Sequence, residues 1–164
     1  MFGSSTMPPP LPRWPWRLVP PPWWPPGLMA PELPLKAMWN ALARAPRFFE
    51  TLAFMHDAEA LWRFCEPHHP TILTGLPLGS WAPKQKKRWV ARMLGAHVPV
   101  VTCMSRDKPR WSGPGRVLVD DRASARQGWE AKGGRFVHHR DAARSIAALQ
   151  ALGFRHPETA PAPR

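Results

Sequence analysis

The sequence predicts an α/β domain built as a three-layer, Rossmann-like parallel sheet with helices on both faces. From residue 71 onward, short β-branched runs alternate with stretches of helical composition and spacing. Glycine or proline follows several of these segments, as in Gly75–Leu76–Pro77 and Gly133–Gly134. Strands that alternate with helices of this length are typical of parallel strands joined by right-handed crossovers.

Each element follows from its local pattern. Two short helices are predicted first, over 36–44 and 57–64, with Pro46 between them. The alternation then predicts four strands, over 71–74, 98–103, 116–119 and 135–139, and three helices, over 82–94, 122–131 and 141–152. The helix over 82–94 is basic and amphipathic, with Trp89, Val90 and Met93 on one side.

The composition divides the chain into unequal parts. Of the 23 prolines in 164 residues, 12 fall in the first 34, where proline excludes helices and interior strands. Residues 1–34 are therefore predicted to be a disordered head rich in proline and tryptophan, either a ligand for proline-recognising modules or a tail without a role. A domain is expected over 35–154, with a small helical, cap-like region at 35–66 and a parallel-sheet core at 70–154. A disordered tail is expected over 155–164.

Charge and cysteine usage narrow the function classes. The net charge of +12 favours phosphate-bearing partners, although a solvated basic surface would give the same number. Cys65 and Cys103 are the only cysteines and form no CxxC motif, so neither a zinc site nor a disulfide framework is expected. No apolar run is long enough to span a membrane, and prolines interrupt any export signal, so a cytoplasmic location is expected.

Polar residues gather where the predicted strands end. Thr74 and Gly75 close one strand, Asp120 and Asp121 close another, and Lys108 lies in the loop before the second. Ligands of open parallel sheets bind at the carboxyl ends of the strands. A hydroxyl, an open backbone amide and an ammonium group could hold a phosphate there, and the two carboxylates could hold Mg²⁺.

These motifs, in this order, resemble those of the haloacid dehalogenase superfamily of phosphohydrolases, and most closely its 5′(3′)-deoxyribonucleotidase-like branch. The resemblance covers about residues 36 to 152 and is densest in three segments, namely PTILTGLPLGSWAPKQKKRWV, VVTCMSRDKPRW and RVLVDDRASARQGWEAKGGRFVHH. It implies that Thr74 and Gly75 bind the transferring phosphoryl group, that Lys108 steadies the charged intermediate, and that Asp120 and Asp121 support Mg²⁺. The implied activity is hydrolysis of phosphate monoesters, with a nucleotide as the expected substrate.

One required part of that pattern is missing. The family's chemistry begins at a central strand ending in DxD, whose first Asp attacks phosphorus, whereas the first acidic residue here is Glu32 and the first Asp is Asp57. Without that strand, the sheet either has a gap or its neighbours close up, and little or no turnover is expected. The chain is then either a non-catalytic relative or one whose opening residues come from a shifted reading frame or a wrong start. Mg²⁺ binding is expected to be weakened or lost.

A second class of function remains open. Between Lys84 and Arg116 there are nine basic residues and one acid, with tryptophans interspersed. Such a stretch can bind single-stranded nucleic acid, so a non-catalytic phosphate- or nucleic-acid-binding protein is the alternative. No membrane partner is expected, and the sequence leaves the oligomeric state open.

Overall fold

Helices and strands alternate along the part of the chain that this computed structural model describes, residues 35–156. The predicted head and residues 157–164 of the predicted tail lie outside the described residues. The five α-helices are α1 (Leu35–Arg44), α2 (Ala58–Cys65), α3 (Ala82–Met93), α4 (Ala125–Glu130) and α5 (Ala142–Ala151). The four strands are β1 (Ile72–Gly75), β2 (Val100–Cys103), β3 (Val117–Asp120) and β4 (Arg135–His138).

Every helix and strand expected within the described residues is present, and the ends differ by a few residues for local reasons. β2 begins at Val100 because Pro99 has no amide hydrogen to donate, while its carbonyl accepts a hydrogen bond from the Ile72 amide. α4 begins three residues later than predicted, because the side chain of Asp120 accepts the Arg122 amide and holds it in a turn.

The strands form two parallel pairs instead of one continuous sheet. β1 pairs with β2, with Thr74 opposite Thr102, and β3 pairs with β4, with Asp120 opposite His138. Within the described residues, no strand pairing joins one pair to the other. The prediction of a mixed α/β fold with parallel strands is confirmed, and β1 and β3 have not closed up into a single ladder.

Three apolar clusters hold these elements together. Val90, Leu94 and Val98 pack under β1 and β2, and the buried ring of Trp129 packs with Leu118 and Phe136 beside β3 and β4. The third cluster contains Phe64, Val137 and Leu149, so it joins α2 to β4 and α5. The second predicted helix therefore contributes a buried side chain to the core of the strand region.

Candidate anion-binding site

An ion pair lies at the carboxyl end of β3. Lys108 comes from a 3₁₀-helix, Ser105–Trp111, and its Nζ lies 2.5 Å from Oδ2 of Asp120. Both side chains are largely buried, with 11% of Lys108 and 3% of Asp120 exposed. Burial by itself raises the pKa of Asp120, but the hydrogen bonds from Lys108 and from the Arg122 amide outweigh it, so the pKa is lowered. Asp120 is therefore held as an ionised carboxylate.

Asp121, the next residue, has the opposite electrostatic environment. Burial and the neighbouring charge of Asp120 both raise the pKa of its carboxyl group. Its backbone carbonyl accepts a hydrogen bond from Nε2 of His138, at 3.0 Å, which ties the end of β3 to the end of β4. The two adjacent acids thus have different protonation tendencies.

A second cationic group lies at the carboxyl end of β1. Nζ of Lys86, from α3, donates to the Thr74 hydroxyl at 3.0 Å and lies 4.3 Å from the centre of the Phe49 ring. Burial and the positive charge of Lys108 together lower the pKa of Lys86 to about 8. Among the ion pairs of residues 35–156, none joins Lys86 to a carboxylate.

A contact between Gly75 and Ser105 brings the end of β1 next to the 3₁₀-helix that carries Lys108. A side chain at Gly75 would meet the Ser105 hydroxyl, so the Ser105 side chain would have to turn away to accommodate it. Ser105 in turn lines a cleft of about 380 Å³, together with Arg106, Lys108, Asp120, Arg122, Ser124 and Ala125. The cleft thus has two exposed arginines and two serines around the buried Lys108–Asp120 pair.

The five residues that the sequence singled out therefore fall into two adjacent sets. Lys108 and Asp120 line the cleft, whereas Thr74, Gly75 and Asp121 do not line it. The two sets are near enough for Lys108 to shift the pKa of Lys86. The arrangement offers hydroxyl, ammonium and guanidinium groups to an anion.

The carboxylates do not fit a magnesium site as they are arranged. Oδ2 of Asp120 is paired with Lys108, and Oδ1 accepts the Arg122 amide at 2.9 Å. Asp121 is the only other carboxylate at this strand end, and no group of three or more potential ligand residues occurs within residues 35–156. Mg²⁺ prefers several oxygen ligands, so magnesium remains a prediction from the sequence.

Asp57, the first aspartate of the chain, is engaged elsewhere. Its Oδ2 accepts a hydrogen bond from the Ala142 amide, at 2.7 Å, at the start of α5. This side chain therefore satisfies a backbone donor in the first turn of a helix. Asp57 therefore does not lie beside Thr74 as a hydrogen-bond partner. The Thr74 hydroxyl instead accepts from Lys86.

Lys86 was not among the residues selected from the sequence, although its spacing contained a signal. Ala82 and Val90 are buried, with 0% and 2% of their surface exposed, and Lys86 lies four residues from each on the same face of α3. A lysine on the inward-facing side of a basic helix is unusual, because a desolvated charge is costly unless it is paired or hydrogen-bonded. Position on the helix, and not residue type, distinguishes it from Lys84 and Lys87.

A scan of the sequence against protein-family models found no match, and neither did searches among curated proteins and among solved structures. The family assignment therefore rests on the motifs in the sequence. In the described part of the chain, no helix is long and apolar enough to cross a membrane.

Proposed function

We propose that this chain is a haloacid dehalogenase-like, nucleotidase-type protein that binds phosphate monoesters and turns them over slowly or not at all. The ligand's phosphate occupies the anion-binding groups at the carboxyl ends of β1 and β3. A nucleotide is the expected form of the ligand, by resemblance. The protein is thus a phosphohydrolase in its ancestry and a binding protein in its present chemistry.

The observation that carries this proposal is the charge of the half-buried Lys86, which has no carboxylate partner among residues 35–156. Buried charges in proteins are paired or hydrogen-bonded, since desolvation of a lone ion is costly. Within residues 35–156, Lys86 has a hydroxyl and an aromatic ring as its neighbours, and Lys108 repels it. An anionic ligand supplies the missing counter-charge, and the Thr74 hydroxyl, which accepts from Lys86, can donate to a phosphate oxygen.

The lack of turnover follows from how the nearby acids are used. The negative charge of Asp120 is compensated by a short ion pair with Lys108, and the Asp57 side chain accepts a hydrogen bond from the Ala142 amide. A covalent phosphoryl transfer needs a free carboxylate aimed at phosphorus. These strand ends offer cationic and hydroxyl groups for binding, whereas Asp120 is paired with Lys108 and burial inclines Asp121 towards the neutral form.

Loss of the Lys86 charge is expected to weaken phosphate binding about tenfold or more, because a hydrogen bond to a charged group contributes roughly 1.5–3 kcal/mol. Isothermal titration of the full chain with thymidine 5′-monophosphate measures this, comparing Lys86→Gln with the wild type. Lys87→Gln is the matched control, since it removes the same charge from an exposed position on the same helix. Equal weakening by both substitutions would assign the affinity to net charge alone and would contradict the proposed site.

Phosphate affinity is also expected to fall as the pH rises above 8. A phosphate monoester gains its second negative charge near pH 6, whereas Lys86 loses its positive charge at about 8. Affinity should therefore be greatest between these two values. In Lys86→Arg the guanidinium stays charged, so the decline above pH 8 should disappear. An unchanged decline in that variant would show that a different group titrates.

Hydrolysis of p-nitrophenyl phosphate in the presence of Mg²⁺ is expected to stay near the uncatalysed background. Removal of a covalent nucleophile costs several orders of magnitude in rate, and the described acids do not replace it. The assay compares the wild type with Asp120→Ala at equal protein concentration. Robust hydrolysis that Asp120→Ala abolishes would show that the chain is an active phosphatase.

The nucleic-acid alternative receives partial support from the exposed basic residues of α3. Lys84, Lys87 and Arg88 are exposed there. However, Trp89 is unavailable for stacking with a base, because its Nε1 donates to the Leu52 carbonyl at 2.7 Å and its ring packs edge-on against Phe54. A salt-dependent gel shift with generic single-stranded DNA separates this function from binding of small phosphate esters.

A further inference from the structure

Two features of its surroundings disfavour the charged form of the Lys86 amine. The side chain is half-buried on the inward-facing side of α3. Lys108 lies nearby, because its 3₁₀-helix begins at Ser105, which meets Gly75 at the end of the strand that Lys86 contacts. Desolvation and repulsion between these two cations lower the pKa of Lys86 to about 8.

A neutral amine at this position can react with carbon dioxide, CO₂. At pH 8 about half of the molecules carry an uncharged Lys86, against roughly one in three hundred for an unshifted lysine. The nitrogen lone pair attacks the carbon of CO₂, one C=O bond gives its electron pair to oxygen, and the nitrogen releases a proton to water. The product is a carbamate, so a singly positive side chain becomes a singly negative one. CO₂ is small and uncharged, which suits it to a half-buried amine.

We propose that Lys86 is a modification site at which dissolved CO₂ reversibly forms a carbamate with the side-chain amine. The product suits the site, since a carbamate near Lys108 replaces repulsion between two cations by attraction between opposite charges. The Thr74 hydroxyl, 3.0 Å from Nζ of Lys86, can donate to a carbamate oxygen or accept from the remaining N–H. Lys108, which disfavours the ammonium form, thus stabilises the carbamate.

The other lysines of the described chain differ from Lys86 in burial or in pairing. Lys108 forms the buried ion pair with Asp120. Four others are exposed, namely Lys36, Lys84, Lys87 and Lys132. Lys87 is the matched control, because it is adjacent to Lys86 on the same helix but lies on its exposed side.

The modification goes beyond the proposed function and does not depend on it, whereas its consequence for ligand binding does. If a phosphate binds at Lys86, a carbamate at that position replaces the cation by an anion and excludes the phosphate. CO₂ then controls whether the site accepts anions. The two ideas are separable, since carbamate is detected without any phosphate ligand.

The full chain is equilibrated with excess ¹³C-labelled bicarbonate at pH 8 in phosphate-free buffer, and carbamates are detected by ¹³C nuclear magnetic resonance. The α-amino group at the N-terminus, with an ordinary pKa of about 7.7–8.0, also forms a carbamate and serves as an internal reference. Two carbamate signals are therefore expected from the wild type and from Lys87→Arg, and only one from Lys86→Arg. Ethylation with triethyloxonium, followed by peptide mass spectrometry, should place the second carbamate on Lys86 in the wild type, where no variant has to fold.

A single carbamate signal from the wild type, two signals from Lys86→Arg, or equal ethylation of Lys86 and Lys87 would overturn the proposal. Addition of thymidine 5′-monophosphate should suppress the Lys86 signal and leave the N-terminal one. A Lys86 signal that persists at high nucleotide concentration would contradict the phosphate site and leave the carbamate site standing.

Discussion

Replacement of Lys108 by methionine is expected to lower the free energy of unfolding by about 3 kcal/mol at pH 7. The substitution leaves the carboxylate of Asp120, of which 3% is exposed, without its ion-pair partner. Removing one member of a buried pair is far more costly than replacing both, because the remaining charge stays desolvated. Urea denaturation followed by tryptophan fluorescence measures the change, and Lys132→Met, at an exposed position, is the control.

The loss of stability in Lys108→Met should also depend on pH. The pKa of Asp120 is lowered in the folded state, so its ionised form stabilises the fold above the unfolded carboxyl pKa of about 3.9. That contribution is lost as the pH falls through the folded value. Near pH 4, where protonation relieves the unpaired charge in Lys108→Met, the difference between the variant and the wild type should shrink.

A second substitution keeps the test decisive if the single variant is too unstable to study. Lys108→Met combined with Asp120→Asn removes both charges, and this double variant is expected to be more stable than Lys108→Met alone. A loss below about 1 kcal/mol in the single variant, with no dependence on pH, would show that water solvates the pair well enough to make it unimportant.

Truncation of Phe64 to alanine is expected to lower the free energy of unfolding by about 3–5 kcal/mol. Phe64 is 6% exposed and packs with Val137 and Leu149, so its removal leaves a cavity between α2, β4 and α5. Thermal or urea unfolding measures the loss. Leu78→Ala is the control, because Leu78 is 84% exposed and its truncation should change stability by less than about 0.5 kcal/mol.

The Phe64 experiment also tests how residues 35–66 relate to the strands. The sequence suggested a small helical, cap-like region there, and a cap that folds independently would tolerate changes without unfolding the core. A cooperative loss of the whole transition in Phe64→Ala indicates one folding unit that includes α2. A small loss, below about 1 kcal/mol, would instead favour a peripheral region.

Local sequence patterns were sufficient for the elements of this fold. Helices and strands depend on the spacing of apolar residues and on nearby glycine and proline, and these features are visible within about ten residues. The strand RVLV and its acidic pair, for example, lie where they were expected, with Asp120 as the last residue of β3. Ends shifted by a few residues at local features, as at Pro99 and at the turn in which Asp120 accepts the Arg122 amide.

The site could be predicted in part. Thr74, Lys108 and the acidic pair were selected because strand ends and residue types are readable in the sequence, and the structure places Lys108 and Asp120 on one cleft. Lys86 was missed, because its contacts with Thr74 and the Phe49 ring come from distant parts of the chain, and the signal in its helical spacing was not used. The Lys108–Asp120 ion pair was missed as well, since the sequence assigned the carboxylate to a metal and the lysine to a phosphate.

By itself, the sequence determined an α/β domain with parallel strands, polar residues at the strand ends, and a strong positive charge. Tertiary structure alone decided how these parts face one another: that the strands form two separate pairs, that Asp120 is neutralised by Lys108, and that Lys86 lies against Thr74 without a carboxylate partner in the described part of the chain. The physical reason is the range of the interactions. Helix and strand formation depends on neighbours along the chain, whereas pairing of strands and compensation of buried charges depend on residues brought together only by folding.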